Sequence, residues 1–107
     1  MIKLEFSFGM DLDRDGVALS KEQKSIGLAQ VRDAATRAFG GCAVIHGHGD
    51  WIDENTLKQY SERCVVLSAL VCFACEHSVL VLVDTIKRHL KQKAVLVTRY
   101  KVETQLH

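Results

Sequence analysis

The sequence predicts an α+β fold with the element order strand, helix, strand, strand, helix, strand. Three features carry that expectation. The first dozen residues alternate strictly between apolar and polar side chains. Two helical patterns each follow a strand. The stretch Glu62 to Cys72 opens on a charge and is then apolar on both parities, as a central strand covered on both faces must be. Two crossover helices of ordinary length joining four strands make the split βαβ pattern of ferredoxin-like domains. Right-handed crossovers then put the first and third strands in the middle of one antiparallel sheet, with both helices on one face.

Residues 2 to 12 place Ile2, Leu4, Phe6, Phe8, Met10 and Leu12 on one side and Lys3, Glu5, Ser7 and Asp11 on the other, the pattern of a half-buried strand. The turn DRDGVAL follows. Ser20 with Gln23 is a capping-box signature, and it opens a helix that runs to Phe39 and stops at Gly40 and Gly41. Its core stripe is Leu28, Val31, Ala35, Ala38 and Phe39. CAVIHGHGDW reads as a short second strand weakened by Gly47 and Gly49, and IDENTLKQYSE as a hairpin or loop. Glu62 to Cys72 is the third strand. Glu76 to Gln92 is a second helix with the stripe Val79, Val83, Ile86 and Leu90, although VLVLV has β propensity. Ala94 to Val102 closes the sheet.

A length of 107 residues with 48% hydrophobic content supports one core, so residues 1–107 are expected to form a single domain. Fourteen basic against thirteen acidic residues leave a net charge of +1 and no basic patch, which argues against a nucleic-acid partner. The longest apolar run, Cys64 to Cys75, is far below the ~20 residues of a membrane span. MIKLEFSF interleaves charges with its apolar residues, unlike a signal peptide, so a cytoplasmic location and reduced cysteines are expected. The sheet face without helices remains apolar, since the third and fourth strands offer Val and Leu to both sides. A homo-oligomer, trimer or dimer, that packs these faces follows from that.

Several motifs suggest chemistry. Asp11, Asp13, Asp15, Gly16 and Glu22 match the spacing of a calcium-binding EF-hand loop, but a strand instead of a helix precedes them, and a strand-to-helix turn wants the same residues. Cys72, Cys75 and His77, with His46 and His48, could be imagined around zinc. The spacing lacks two tight ligand pairs, so no metal or cofactor is expected. No Walker loop, dinucleotide fingerprint or serine triad is present.

The stretch Gly47 to Cys72 is the better candidate. Trp51 and Tyr60 lie outside the expected regular structure, and Glu62 is the carboxylate nearest the centre of the sheet. Glu62 is either solvated or salt-bridged, to Arg63 or Arg99, or else part of a site with Gly49, Trp51, Tyr60 and His46. A carboxylate beside an indole and flexible glycines suits a cationic small molecule that carries an aromatic group.

The G-x-aromatic turn (Gly49, Asp50, Trp51), Glu62 opening an apolar strand with Val65 and Val66, and the final Val95-Leu96-Val97 strand together resemble the small bacteriophage S-adenosylmethionine lyases, formerly called hydrolases. The chain is equally similar to a family of uncharacterised small bacterial domains. The lyase resemblance implies a PII-like trimer with active sites between subunits. It also implies an internal reaction, in which the substrate carboxylate displaces methylthioadenosine and leaves homoserine lactone. For a phage, such an enzyme depletes the methyl donor and blunts host defences. A non-catalytic PII-like binding module or phage accessory protein is the alternative. Under the resemblance Glu62 matches the essential glutamate, and Trp51 stands where the family has a pocket tyrosine. Lys101 stands where the family has a glutamine on the last strand, with Gln105 further on.

Overall fold

The computed structural model describes residues 1–73 and 75–107. β1 (Ile2–Gly9), α1 (Lys21–Phe39), β2 (Ala43–Ile52), β3 (Gln59–Val71), α2 (Glu76–Leu90) and β4 (Leu96–Lys101) follow one another along the chain. The strands form one antiparallel sheet in the order β2-β3-β1-β4, which puts β1 and β3 at its centre. Alternation decides which side of each strand is dry. Leu4, Phe6 and Phe8 of β1 and Val65 and Leu67 of β3 form one buried cluster with Val31 and Ala35 of α1 and Val79, Leu82, Ile86 and Leu90 of α2. Both helices therefore cover the same face, giving the ferredoxin-like arrangement. Full burial of each such aliphatic or aromatic side chain contributes roughly 1.5–3 kcal/mol, so this layer dominates the stability of the fold.

The helices reach that core differently. Ser20 closes a complete capping box with Gln23, and Gly40, in the left-handed region at φ 83°, ends α1. Phe39 stacks on Phe6 at 6.0 Å between ring centroids, and that contact leaves Ala38, expected in the core stripe, exposed. Gly27 faces α2 so closely that a Cβ there would stand 2.7 Å from the His89 carbonyl oxygen. In α2, Leu82 is fully buried and Val83 only partly so, a one-residue rotation of the expected stripe. The helix stops at Leu90, two residues early, and Lys91 takes φ 52°. VLVLV is helical because its apolar side chains meet the sheet at helical spacing, which outweighs local β propensity.

Two expected boundaries and one expected weak spot are corrected at one end of the sheet. β1 stops at Gly9 instead of residue 12, and beyond it Leu12 makes only an isolated bridge to Ala18. β2 is ten residues long and not weakened by its glycines, and β3 begins at Gln59. The turn between them is confined to a few residues. The Asp53 carboxylate accepts the Asn55 and Thr56 N–H groups, and the Lys58 carbonyl accepts the Asp53 N–H. Backbone pairing needs no apolar side chains, so the polar segment can be a ribbon. Trp51 and Tyr60, expected outside regular structure, are a directly opposed cross-strand pair within it. β1 pairs with β3 only as far as Cys64, so the hairpin from His48 to Arg63 overhangs the central sheet.

The face without helices carries Ile45, Leu70, Leu96 and Tyr100, all exposed, around a Lys3–Glu5 ion pair at 3.3 Å. Among the described residues no helix is long and apolar enough to cross a membrane.

Candidate functional site

Glu62 sits in β3 directly opposite Gly49 of β2, and only 4% of its surface is accessible. Where the chain turns away from the end of β1, the Asp11 and Leu12 N–H groups donate to Glu62 Oε2 at 3.2 and 2.7 Å. The expected ion pairs to Arg63 or Arg99 do not form. Arg63 Nη2 lies 3.1 Å from Asp11 Oδ1, and Arg99 pairs with Glu76 at 2.8 Å. Among the described residues no N–H or O–H donates to the other oxygen, Oε1. No side-chain oxygen among them is both sealed from solvent and unpartnered, so Oε1 keeps a narrow access to solvent. Burial pushes the Glu62 carboxyl above the ordinary glutamate value. The two amide donors oppose that push, the nearby Asp11 charge adds to it, and Lys24 opposes it.

The turn that supplies these donors is itself anchored. Asp11 Oδ1 accepts from Lys24 Nζ at 2.8 Å, and Oδ2 accepts the Arg63 N–H at 2.7 Å. These contacts hold the Asp11 carboxyl well below the usual carboxylate range. Gly9 leaves room for Glu62, since a Cβ there would overlap Oε1 outright.

Four of the five candidate residues come together. Gly49, Trp51, Tyr60 and Glu62 share the helix-free face, as cross-strand pairs Gly49 with Glu62 and Trp51 with Tyr60. A Cβ on Gly49 would stand 2.9 Å from Trp51 Cζ3, so the indole lies across Gly49, the ladder partner of Glu62. Lys58 Nζ is 5.2 Å from the Tyr60 ring centroid, an internal cation–π contact. His46 is placed elsewhere. It pairs with Val65 on the helix-covered face and lines a cleft of about 590 Å³ with Leu28, Arg32, Thr36, Cys42 and Val44. His48 shares that face and hydrogen-bonds Ser61. Lys101 pairs with Ile2, at the far end of the sheet from Glu62 within the chain.

The metal-like motifs have structural partners. Asp13 Oδ1 accepts the Asp15 and Val17 N–H groups at 2.8 and 3.0 Å, as a tight turn requires. Among the described residues no three His, Cys, Asp or Glu side chains gather as a metal-ligand set.

Sequence reasoning missed Gly9 and the Asp11 and Leu12 amides. Gly9 had a local signal, because it interrupts β1 where the wet-face alternation calls for a polar side chain. The amides had none.

No protein-family model and no curated protein sequence matches the chain. Solved structures do. A phage S-adenosylmethionine lyase in complex with S-methyl-5'-thioadenosine superposes with a TM-score of 0.70 at 13% identity, over 94% of this chain and 80% of that one. CutA1 from Pyrococcus horikoshii gives a TM-score of 0.52 at 13% identity, over 99% and 87%. A Bacillus cereus protein related to NIF3 gives 0.59 at 10% identity, covering 96% of this chain but 26% of its own. At these identities the likeness shows the fold.

Proposed function

We propose that this chain is an S-adenosylmethionine lyase that forms methylthioadenosine and homoserine lactone, with Glu62 as its indispensable residue. The observation that carries the reading is the state of that carboxylate. It is buried, clamped through one oxygen by two backbone N–H groups, without a donor at the other among the described residues, and its ladder partner is Gly49, across which the Trp51 indole lies. Support also comes from the shared fold, which in the phage lyase structure accompanies S-methyl-5'-thioadenosine.

The chemistry suits a site with so little acid–base equipment. A carboxylate oxygen of the substrate attacks its own γ-carbon, the carbon–sulfur bond breaks, and the electron pair neutralises the sulfonium. No proton moves. A fixed carboxylate against the sulfonium would favour the charged ground state over a transition state in which that charge disappears. Glu62 therefore serves by orienting the substrate, and the site by folding its tail into attack geometry away from water. Trp51 and Tyr60 offer stacking surface for the adenine, with Gly49 letting the indole lie flat across β2.

The exposed apolar face supports a homo-oligomer. The lyase reading makes it a homotrimer of single-domain chains with sites completed between subunits, acting in the cytoplasm of a phage-infected host. The rival reading is a non-catalytic PII-like module or accessory protein that binds a small molecule on the same face. The two separate on one assay, in which pure protein is incubated with S-adenosylmethionine and methylthioadenosine is followed by chromatography. The lyase reading expects product from the wild type and none from Glu62→Gln. Absence of product from the wild type, or undiminished product from the variant, sinks it.

A further inference from the structure

Gln92 follows α2 in the connection to β4, and it is 9% exposed although its side chain is polar. Its Nε2 donates to two carbonyl oxygens, those of Leu12 and Leu90, both at 2.8 Å. A double donor can only be the amide nitrogen, so the orientation of the group is determined and Oε1 is the end left over. Among the described residues nothing donates to Gln92 Oε1, and like Glu62 Oε1 it is not sealed from solvent. The two oxygens converge. A Cβ on Gly9 would overlap Glu62 Oε1 and stand 3.1 Å from Gln92 Oε1, so the two oxygens meet over this glycine, where any side chain would displace them. Each is also fixed from behind by Leu12, whose N–H holds Glu62 Oε2 and whose carbonyl holds the Gln92 amide.

Two adjacent acceptors on side chains that are nine-tenths buried keep only a narrow opening to solvent, and with no donor among the described residues their partner must come from outside the chain. We infer that Glu62 Oε1 and Gln92 Oε1 form a two-acceptor seat over Gly9 that takes the N–H or O–H donors of a bound small molecule. A sulfonium has no hydrogen to give and does not fit this seat. An α-ammonium does, and so does a pair of ribose hydroxyls. The seat rests on the reading of this face as a substrate site and names Gln92 as a second binding residue there, with the Leu12 peptide positioning both.

The test uses isotope-labelled full-length protein, with NMR signals of the Gln92 side-chain amide and the Glu62 carboxyl carbon followed at neutral pH. The probes are S-adenosylhomocysteine, which carries ammonium and ribose hydroxyls, and methylthioadenosine, which carries the hydroxyls alone. Both signals are expected to move on saturation. Movement with both probes assigns the hydroxyls, and movement with S-adenosylhomocysteine alone assigns the ammonium. Gln92→Met is expected to weaken the effective probe about tenfold or more, the loss of one hydrogen bond to a buried acceptor. Probes that perturb Trp51 but not Gln92, or that move neither signal, overturn the seat. S-adenosylmethionine cleavage with an unmoved Gln92 leaves the lyase reading standing without the seat. Moved signals without cleavage leave the seat standing without the lyase.

Discussion

Glu62 is held in a state that its burial disfavours. The folded protein binds its carboxyl proton more tightly than the unfolded chain does, because the native value lies above 4.5. Its contribution to stability is thus fullest below the unfolded value and is lost as pH rises through the folded one. Glu62→Gln keeps an oxygen for the Asp11 and Leu12 N–H groups and removes the buried charge. Thermal melting at pH 7 should therefore show the variant at least as stable as wild type, with the difference shrinking towards pH 4. A variant that melts lower at pH 7 than at pH 4, relative to wild type, contradicts this account. Activity runs the other way. The groups facing the carboxyl are Asp11 from the turn, Lys24 from α1 and the uncharged Gln92. Turnover should fall as pH drops through the raised value, because a protonated Oε1 can donate to Gln92 Oε1 and close the seat from within. Gly9→Ala separates space from charge. The added methyl must displace Glu62, which should cost about 1–3 kcal/mol in urea unfolding and abolish product formation together.

At the scale of elements, α1 is secured by its ends and by close approach more than by a broad apolar face. Only Gly27, Val31 and Ala35 are buried along it. Ser20→Ala removes the capping-box oxygen and should cost about 1 kcal/mol by urea unfolding. Gly27→Ala sets two effects against each other. Helix propensity favours alanine by about 0.8–1 kcal/mol. The new Cβ, however, would stand 2.7 Å from the His89 carbonyl, which belongs to a helix backbone and cannot swing aside. Overpacking of about 1–3 kcal/mol should win, so the variant is expected to be less stable. A more stable Gly27→Ala protein would mean that the two helices can separate at little cost. The β2–β3 hairpin has the opposite character, since beyond Cys64 it is a two-stranded ribbon without a third strand. Such a ribbon is marginal alone in water, which makes it a part of the molecule that gains from a neighbour.

For the whole molecule, the helix-free face is the surface proposed to be buried between copies. Leu96 is 66% exposed and Ile45 56%, on strands at opposite edges of the sheet. Burial of this face between copies predicts that Leu96→Glu with Ile45→Lys yields a monomer in sedimentation at micromolar concentration, while the wild type sediments as a trimer. Because the sites are proposed to lie between subunits, the monomeric variant should also lose methylthioadenosine formation with Glu62, Gln92 and Trp51 all intact. Retained activity in a monomer would place the whole site within one chain.

The amino-acid sequence alone sets the element order, the central position of β1 and β3, the capping of α1 and the apolar character of the uncovered face. Each is written in local periodicity or in a short spacing that the backbone reads directly. It also singled out Glu62, Gly49, Trp51 and Tyr60, but as a strand mouth and a loop, because a polar ribbon carries no apolar alternation to announce it. Only the tertiary structure decided what Glu62 touches and that His46 faces the other way. The donors to Glu62 are backbone N–H groups some fifty residues away, and Gln92 arrives from a third segment after α2. Main-chain amides look alike at every position, and a parity shared along one strand does not reveal which residues a distant turn will bring against it.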